Sequence, residues 1–306
     1  MNIVFFGSSS FSVPPLNSIS SFVSCVVTKK AKPKGRGYLL EDNEVKKTAI
    51  NLHLPFIEIE TFKDESIHQL EQLRPELFVV ASFGLIVPKW VLDLPTVGSI
   101  NVHPSLLPIY RGPSPIQWAI LNGEAKTGIT LIKMNEKMDA GNVMYQEHVA
   151  INQEDNMITL SERLSRRVAE ILPEIIDYIS IEGMMEGIEQ KHEYATYTPI
   201  ITKEMGKIDW HKSAIEIARQ VRAFILWPTA YTFLDNLMLK VFDAELEGTK
   251  EKKESGVILD INKDGILVST AAGILVIKEV QLENRKRMKA FQFAQGYRNL
   301  MGKTLE

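Results

Sequence analysis

Four short apolar runs punctuate the first 82 residues, and what lies between them constrains the fold most. Ile3 to Phe6, Phe22 to Thr28, Phe56 to Ile59 and Leu77 to Ser82 each have the length of a buried strand, and stretches of helical spacing at Glu41 to Asn51 and Asp64 to Leu73 separate the later ones. Strands alternating with helices read as βαβ units, so a parallel sheet covered on both faces is predicted. The first run ends in Gly7-Ser8-Ser9-Ser10, a tight strand-to-helix turn with several possible N-caps. It lacks the G-x-G-x-x-G spacing that a dinucleotide site needs.

After the second run, KKAKPKGRGYLLEDNEV mixes Pro33, Gly35 and Gly37 with Lys29, Lys30, Lys32, Lys34 and Arg36, which predicts a basic loop rather than a strand. Pro88 to Leu94 reads as a helical turn, and Gly98 to His103 as a strand of period two that ends at Pro104. A helix in PSPIQWAILNG follows, then strands Thr127 to Met134 and Val143 to Ile151, and a long amphipathic helix from Ile158 to Glu182 with Leu160, Leu164, Val168, Ile171, Ile175 and Ile179 on one stripe. Periodicity then lapses from Gly183 to Asp209. Beyond a helix at Ser213 to Phe224, five short strands (229–234, 237–247, 256–262, 265–270, 274–282) suggest a small barrel or sandwich, the oligonucleotide-binding barrel being one candidate. A last helix is expected over Ala290 to Met301. The expected division is 1–182, a linker at 183–205, and 206–306.

Composition narrows the class. The chain of 306 residues is 45% hydrophobic and 24% charged, ordinary for a globular protein, and no apolar run approaches the ~20 residues that span a bilayer. Without a signal-like N-terminus, a cytoplasmic protein that does not engage membranes is expected. The one cysteine, Cys25, sits inside a strand run and excludes a disulfide framework within the chain. His53, His68, His148, His192 and His211 show no ligand spacing, so no metal is expected. The net charge of −3 conceals a separation of sign: residues 206–306 hold 16 Lys and Arg against 13 Asp and Glu, while residues 1–205 hold 19 against 25. Arg285-Lys286-Arg287-Met288-Lys289 is the sharpest basic cluster, suited either to a polyanion or to a solvated loop.

Asn101 and His103 share one face at the end of their strand, where two polar groups are costly unless something uses them. Asp139 lies in the loop after the next strand, and in a parallel sheet the loops at the carboxyl edges of successive strands converge. An amide and an imidazole aimed at one point can donate to a developing oxyanion, and a carboxylate can take a proton from a nucleophile. That set suits acyl transfer without a covalent intermediate, since no G-x-S-x-G elbow is present and Cys25 lies mid-strand. The competing reading makes Asn101 a turn cap and His103 a satisfied core histidine. Arg111 reads best as an arginine holding this turn to a neighbouring loop.

Asn101-Val102-His103-Pro104-Ser105-Leu106-Leu107-Pro108, with Tyr110-Arg111-Gly112 and Pro115-Ile116, resembles the signature of the formyltetrahydrofolate-dependent formyltransferases. Met138-Asp139-Ala140-Gly141 is similar to that family's catalytic-aspartate loop, and Ala81 to Lys89 to its folate-pocket segment. Gly35-Arg36-Gly37, Arg222-Ala223-Phe224 and Trp227-Pro228 extend the resemblance over nearly the whole chain, toward the branch that acts on initiator methionyl-tRNA. The chain departs from the family at Ser8-Ser9-Ser10, where Thr-Pro and an acidic residue are usual, and at Tyr38-Leu39-Leu40, where basic residues are common.

The resemblance implies an α/β fold, with a Rossmann-like, mostly parallel N-terminal sheet domain and an OB-like β-barrel C-terminal domain. It implies transfer of the formyl group of 10-formyltetrahydrofolate to the amino group of the methionine on initiator methionyl-tRNA, without metal, by a monomer. Asn101, His103 and Asp139 would be catalytic. Phe83, Gly84, Leu85, Ile86, Ser105, Leu106, Leu107 and Pro108 would line the folate pocket, and Lys34, Arg36, Arg285, Lys286 and Arg287 would meet tRNA. The alternatives are transfer to a nucleotide-linked amino sugar, and a folate- or RNA-binding protein without catalysis. The Gly35-Arg36-Gly37 loop and the basic cluster argue against the first, and the three retained catalytic candidates against the second.

Overall fold

The computed structural model describes residues 1–34, 39–248 and 254–306. It falls into two compact units, one of residues 1–115, 126–150 and 161–199, the other of residues 116–125, 151–160 and 200–306.

The first unit is built on seven strands: β1 (Ile3–Gly7), β2 (Val23–Lys29), β5 (Phe56–Ile59), β6 (Leu77–Ala81), β7 (Gly98–His103), β8 (Lys126–Lys133) and β9 (Asn142–Ala150), in the order β5-β2-β1-β6-β7-β8-β9. From β5 to β7 all pairings are parallel. Every residue of β1 and β6 is buried, as expected of central strands covered on both faces. One face buries Phe6 and Phe78 edge-to-face at 4.9 Å, with Cys25, Val27 and Ile59 around them.

The sheet is mostly parallel, as expected, and turns antiparallel at β8 and β9, which run against their neighbours. Only residues 134–141 join these two strands, too few for the crossover that parallel pairing requires. β9 alternates half-buried and exposed positions along its second half, the pattern of an edge strand with one wet face.

The basic segment expected to be loop contains a hairpin, β3 (Lys32–Lys34) against β4 (Leu39–Glu41), with Pro33 opposite Leu40. In a two-stranded ribbon each strand is an edge, so the missing N–H of proline is tolerated. Because the chain is extended through Glu41, the helix Glu44–Asn51 starts later than the spacing suggested, where the Asn43 side chain accepts from the Val45 and Lys46 N–H groups. The long helix Met157–Glu182 buries its predicted stripe, and Ser165 Oγ on it donates to the Phe11 carbonyl at 2.6 Å.

In the second unit the helix Ala214–Ala223 opens with a capping box between Ser213 and Glu216. Five strands, β10 (Ala230–Leu234), β11 (Leu237–Glu247), β12 (Ile258–Asn262), β13 (Gly265–Ser269) and β14 (Ile274–Leu282), pair antiparallel in the order β10-β11-β14-β13-β12, and the short β15 (Met288–Lys289) joins β14. The two outer strands are bridged by residues 303–306: Leu305 N donates to the Gly256 carbonyl and Ile258 N to that of Lys303, while Phe233 and Glu306 exchange backbone hydrogen bonds of 2.8 and 3.0 Å. That segment satisfies sheet edges that would otherwise be open. The last helix is Ala290–Gln295 and stops short of Met301, with Gly296 as its C-cap. No helix among the described residues is long and apolar enough to cross a membrane.

Candidate active site

Strand β7 pairs with β6 on one side and β8 on the other, Asn101 lying between Val80 and Ile132. Period two puts the Asn101 and His103 side chains on one face, and Asp139 meets both there. Its Oδ1 accepts from Asn101 Nδ2 at 3.2 Å and lies 3.5 Å from His103 Nδ1, and its Oδ2 accepts from the backbone N–H of Gly112 at 2.8 Å.

The expected convergence at carboxyl edges does not bring Asp139 here. Since β8 runs back along β7, its carboxyl end is level with Ile100, and the 134–141 loop must fold over to return the carboxylate to the face. Met134 N donates to the Ser99 carbonyl, and a Cβ on Gly141 would lie 1.8 Å from the carbonyl oxygen of Lys133, so the loop closes against the strand backbone where only glycine fits. Asp139 itself takes a left-handed φ of 50°, a conformation that costs free energy and that its surroundings must hold.

His103 is buried, and its Nε2 donates to the Tyr110 carbonyl at 2.8 Å. A carbonyl only accepts, so the hydrogen sits on Nε2 and Nδ1 faces the carboxylate. Nδ1 can donate a hydrogen bond only when it too carries a hydrogen.

The Tyr110-Arg111-Gly112 turn that supplies these partners is held from a distant segment. Arg111 donates to Gln190 Oε1 from Nε at 3.1 Å and from Nη2 at 2.7 Å, to Tyr197 Oη from Nη1 at 3.2 Å, and Nη2 lies 2.8 Å from His192 Nδ1. Its backbone pairs with Thr196 and Thr198. Arg111, 2% exposed, thus holds the turn to a neighbouring loop, as its sequence context suggested. Gln190, His192 and Tyr197 escaped notice because residues 183–209 have no periodicity. The one available signal was that a buried arginine needs acceptors.

The residues expected to line a folate pocket divide into two groups. Phe83 is buried, with ring centroids 5.4 Å from Phe6 and 6.0 Å from Phe62. Ser105, Leu106 and Leu107 are buried too: Ser105 Oγ donates to the Ile109 carbonyl at 2.7 Å, and the Leu107 carbonyl accepts from Gln146 at 2.9 Å. Gly84 and Ile86 are exposed, Ile86 to 69%, and Leu85 and Pro108 are half-buried. Ser8 Oγ donates to the Phe83 carbonyl at 2.7 Å, Ser9 Oγ to Ser82 Oγ at 2.8 Å and Ser12 Oγ to the Ala81 carbonyl at 2.5 Å, so the serine-rich first turn fixes the loop after β6.

Of the residues expected to meet tRNA, Arg36 lies outside the described residues and Lys34 is in β3. Arg285 and Lys286 are exposed at the turn before β15. Arg287 stacks 4.2 Å over the Phe242 ring and donates to Glu279 at 2.5 Å, holding that carboxyl below the usual carboxylate range. Among the described residues no cluster of three or more His, Cys, Asp or Glu could hold a metal.

Both parts of the chain match models of one family, residues 1–176 that of formyl transferase and residues 200–298 that of the formyl transferase C-terminal domain. The chain therefore belongs to the formyl transferase family. Within it, relatives that match end to end are methionyl-tRNA formyltransferases: that of Alkaliphilus oremlandii is 40% identical over 292 residues, covering 94% of each chain, and that of Staphylococcus aureus strain Newman is 40% identical over 308 residues, covering 99% of each. Among solved structures, HypX from Aquifex aeolicus in complex with tetrahydrofolic acid shares the fold with a TM-score of 0.68 at 16% identity; the match covers 99% of this chain, which spans about half (48%) of HypX.

Proposed function

We infer that the protein transfers the formyl group of 10-formyltetrahydrofolate to the amino group of the methionine carried by initiator methionyl-tRNA. The observation that carries the reading is the meeting of Asn101, His103 and Asp139 on one face of β7, in a chain related over its full length to enzymes of that name. The donor set fits a formyl carbonyl: Asn101 commits one amide N–H to Asp139 and has a second, and the Asp139 side chain keeps 14% of its surface exposed.

Bound 10-formyltetrahydrofolate supplies an activated formyl carbon with a nitrogen leaving group. Asn101 and His103 hold the formyl oxygen as it gains charge. Asp139, through a water, takes a proton from the methionine ammonium, so that its nitrogen can attack, and returns a proton to the departing folate nitrogen. Ile86, Leu85 and Pro108 offer apolar surface to the folate ring. Phe83, Ser105, Leu106 and Leu107 support the pocket wall from within, and Gly84 allows close backbone approach.

In finer terms, the first unit is a Rossmann-like domain and the second an OB-like barrel that binds tRNA; the catalytic residues fall within 1–182 and the barrel within 206–306, while residues 183–199 of the expected linker 183–205 belong to the first compact unit. Lys34, Arg36, Arg285, Lys286 and Arg287 contact RNA, a guanidinium on a glycine-flanked loop being suited to phosphate or to a terminal base. The protein acts as a cytoplasmic monomer. Formyl transfer assayed in parallel with charged initiator tRNA and with a nucleotide-linked amino sugar tests the reading: product on the tRNA alone is expected, and product on the sugar alone overturns it. Arg36→Ala is expected to impair transfer to charged tRNA while folate binding stays intact.

A further inference from the structure

Gln190 lies 51 positions from Asp139 and is 5% exposed, between the bridge of Ile188 to Val143 and the single 3-10 turn His192–Tyr194. Its carboxamide is committed on both sides. Nε2 donates to the carbonyl of Asp139 at 2.9 Å and to that of Gly141 at 2.7 Å, while Oε1 accepts twice from Arg111. One side chain therefore joins the two backbone pieces that define the site: the loop that presents the Asp139 carboxylate, and the turn whose Gly112 N–H and Tyr110 carbonyl hold that carboxylate and His103.

The geometry assigns Gln190 as a positioning residue for Asp139, setting the register between the 139–141 loop and the 110–112 turn so that the carboxylate meets Asn101 and the Gly112 N–H together. This rests on the formyl-transfer reading above. Asp139 holds a left-handed backbone, which aspartate tolerates better than most residues but which still costs free energy, and the two bonds donated by Gln190 bracket that residue. No hydrophobic side chain of the same size could do this, because the carbonyls of residues 139 and 141 would lose the donor that Gln190 supplies and the Arg111 guanidinium would lose two of its hydrogen bonds at once. Gln190 touches no reacting atom. Its effect on the reaction passes through where Asp139 stands, and a misplacement of about 1 Å can cost roughly 100-fold in rate.

Gln190→Glu and Gln190→Ala are compared with wild type in single-turnover transfer to charged initiator tRNA with both substrates saturating and in steady-state assays with each substrate varied, and each is also combined with Asp139→Asn. Wild-type transfer comes first: its absence would sink the formyl-transfer reading and leave Gln190 to be judged by hydrogen exchange alone. Gln190→Glu keeps the volume and the acceptor for Arg111 but sets carboxylate oxygen against two carbonyls. We expect it to fold, to lose roughly 10- to 100-fold in turnover with KM for either substrate changed less than about threefold, and to lose little more when Asp139 is already Asn. Hydrogen exchange supplies a readout independent of activity: the Gly112 amide should exchange faster in both variants while the β7 amides stay protected. Wild-type turnover with unchanged Gly112 exchange in Gln190→Glu overturns the assignment, as does full additivity with Asp139→Asn. If Gln190→Ala fails to fold, Gln190→Glu decides alone.

Discussion

Asn101 and Asp139, 38 positions apart, are joined by a single 3.2 Å hydrogen bond from the amide to the carboxylate. The amide is thereby oriented by the carboxylate, so in the proposed reaction the oxyanion donor and the base would be fixed relative to each other before substrate arrives. Asn101→Ala should lower turnover by roughly 10²- to 10³-fold, the usual loss for one oxyanion donor. Rates measured beside a thermal melt check this: a correctly folded variant with wild-type turnover would remove Asn101 from the chemistry.

Asp139→Asn keeps the volume but sets an amide where a carboxylate accepts from Gly112 and Asn101. Loss of the base should slow single-turnover transfer by roughly 10²- to 10⁴-fold. Steady-state rates are not enough, because slow product release can hide a change in chemistry.

Gly141 tests whether the route of the loop matters. A methyl group there would sit 1.8 Å from a backbone oxygen of β8, which cannot yield as a side-chain end could. Gly141→Ala is expected to cost about 1–3 kcal/mol of stability and to lower turnover more than it raises KM for either substrate. An unchanged melting temperature with unchanged turnover would show that the loop can rearrange freely.

These three positions also mark how far the sequence could be read. The central strands were legible because fully buried parallel strands leave unbroken apolar runs, and Asn101 with His103 because two polar groups end such a run. The nearness of Asp139 was inferred from the wrong geometry: hydrophobic pattern does not report strand direction, and the short 134–141 connection, which does, went unused. Gln190 left no trace, since a single glutamine in an aperiodic segment looks like any surface residue until the arginine it satisfies is located.

Cys25 is buried in β2, and burial pushes its thiol up to about 11. The folded chain therefore retains a proton that the unfolded chain gives up from about pH 9, so this group's contribution to stability declines as pH rises from about 9 to about 11. Iodoacetamide at pH 8 should label Cys25 in denaturant and leave the native protein unmodified. Rapid native labelling would mean that β2 opens readily.

For the second unit, the expected signature is salt dependence. Arg285 and Lys286 are exposed and Arg287 is engaged by Glu279, so the first two should release counterions most directly. The double variant Arg285→Ala, Lys286→Ala should reduce the slope of log affinity for tRNA against log salt by about 0.9 for each duplex phosphate that is no longer neutralised. A slope identical to that of wild type would place the RNA elsewhere.

The strap formed by residues 188–198 bears on how the catalytic half can be isolated or transplanted. A cut after the long helix, at Glu182, would yield a fragment carrying Asn101, His103 and Asp139, all the side chains assigned to chemistry. It would lack Gln190 and the Thr196 and Thr198 backbone that clamp Arg111. Such a fragment would possess the parts of the site without their alignment, whereas the compact unit itself runs on to Pro199. Grafts, split reporters and minimal versions of this half should take their boundary there.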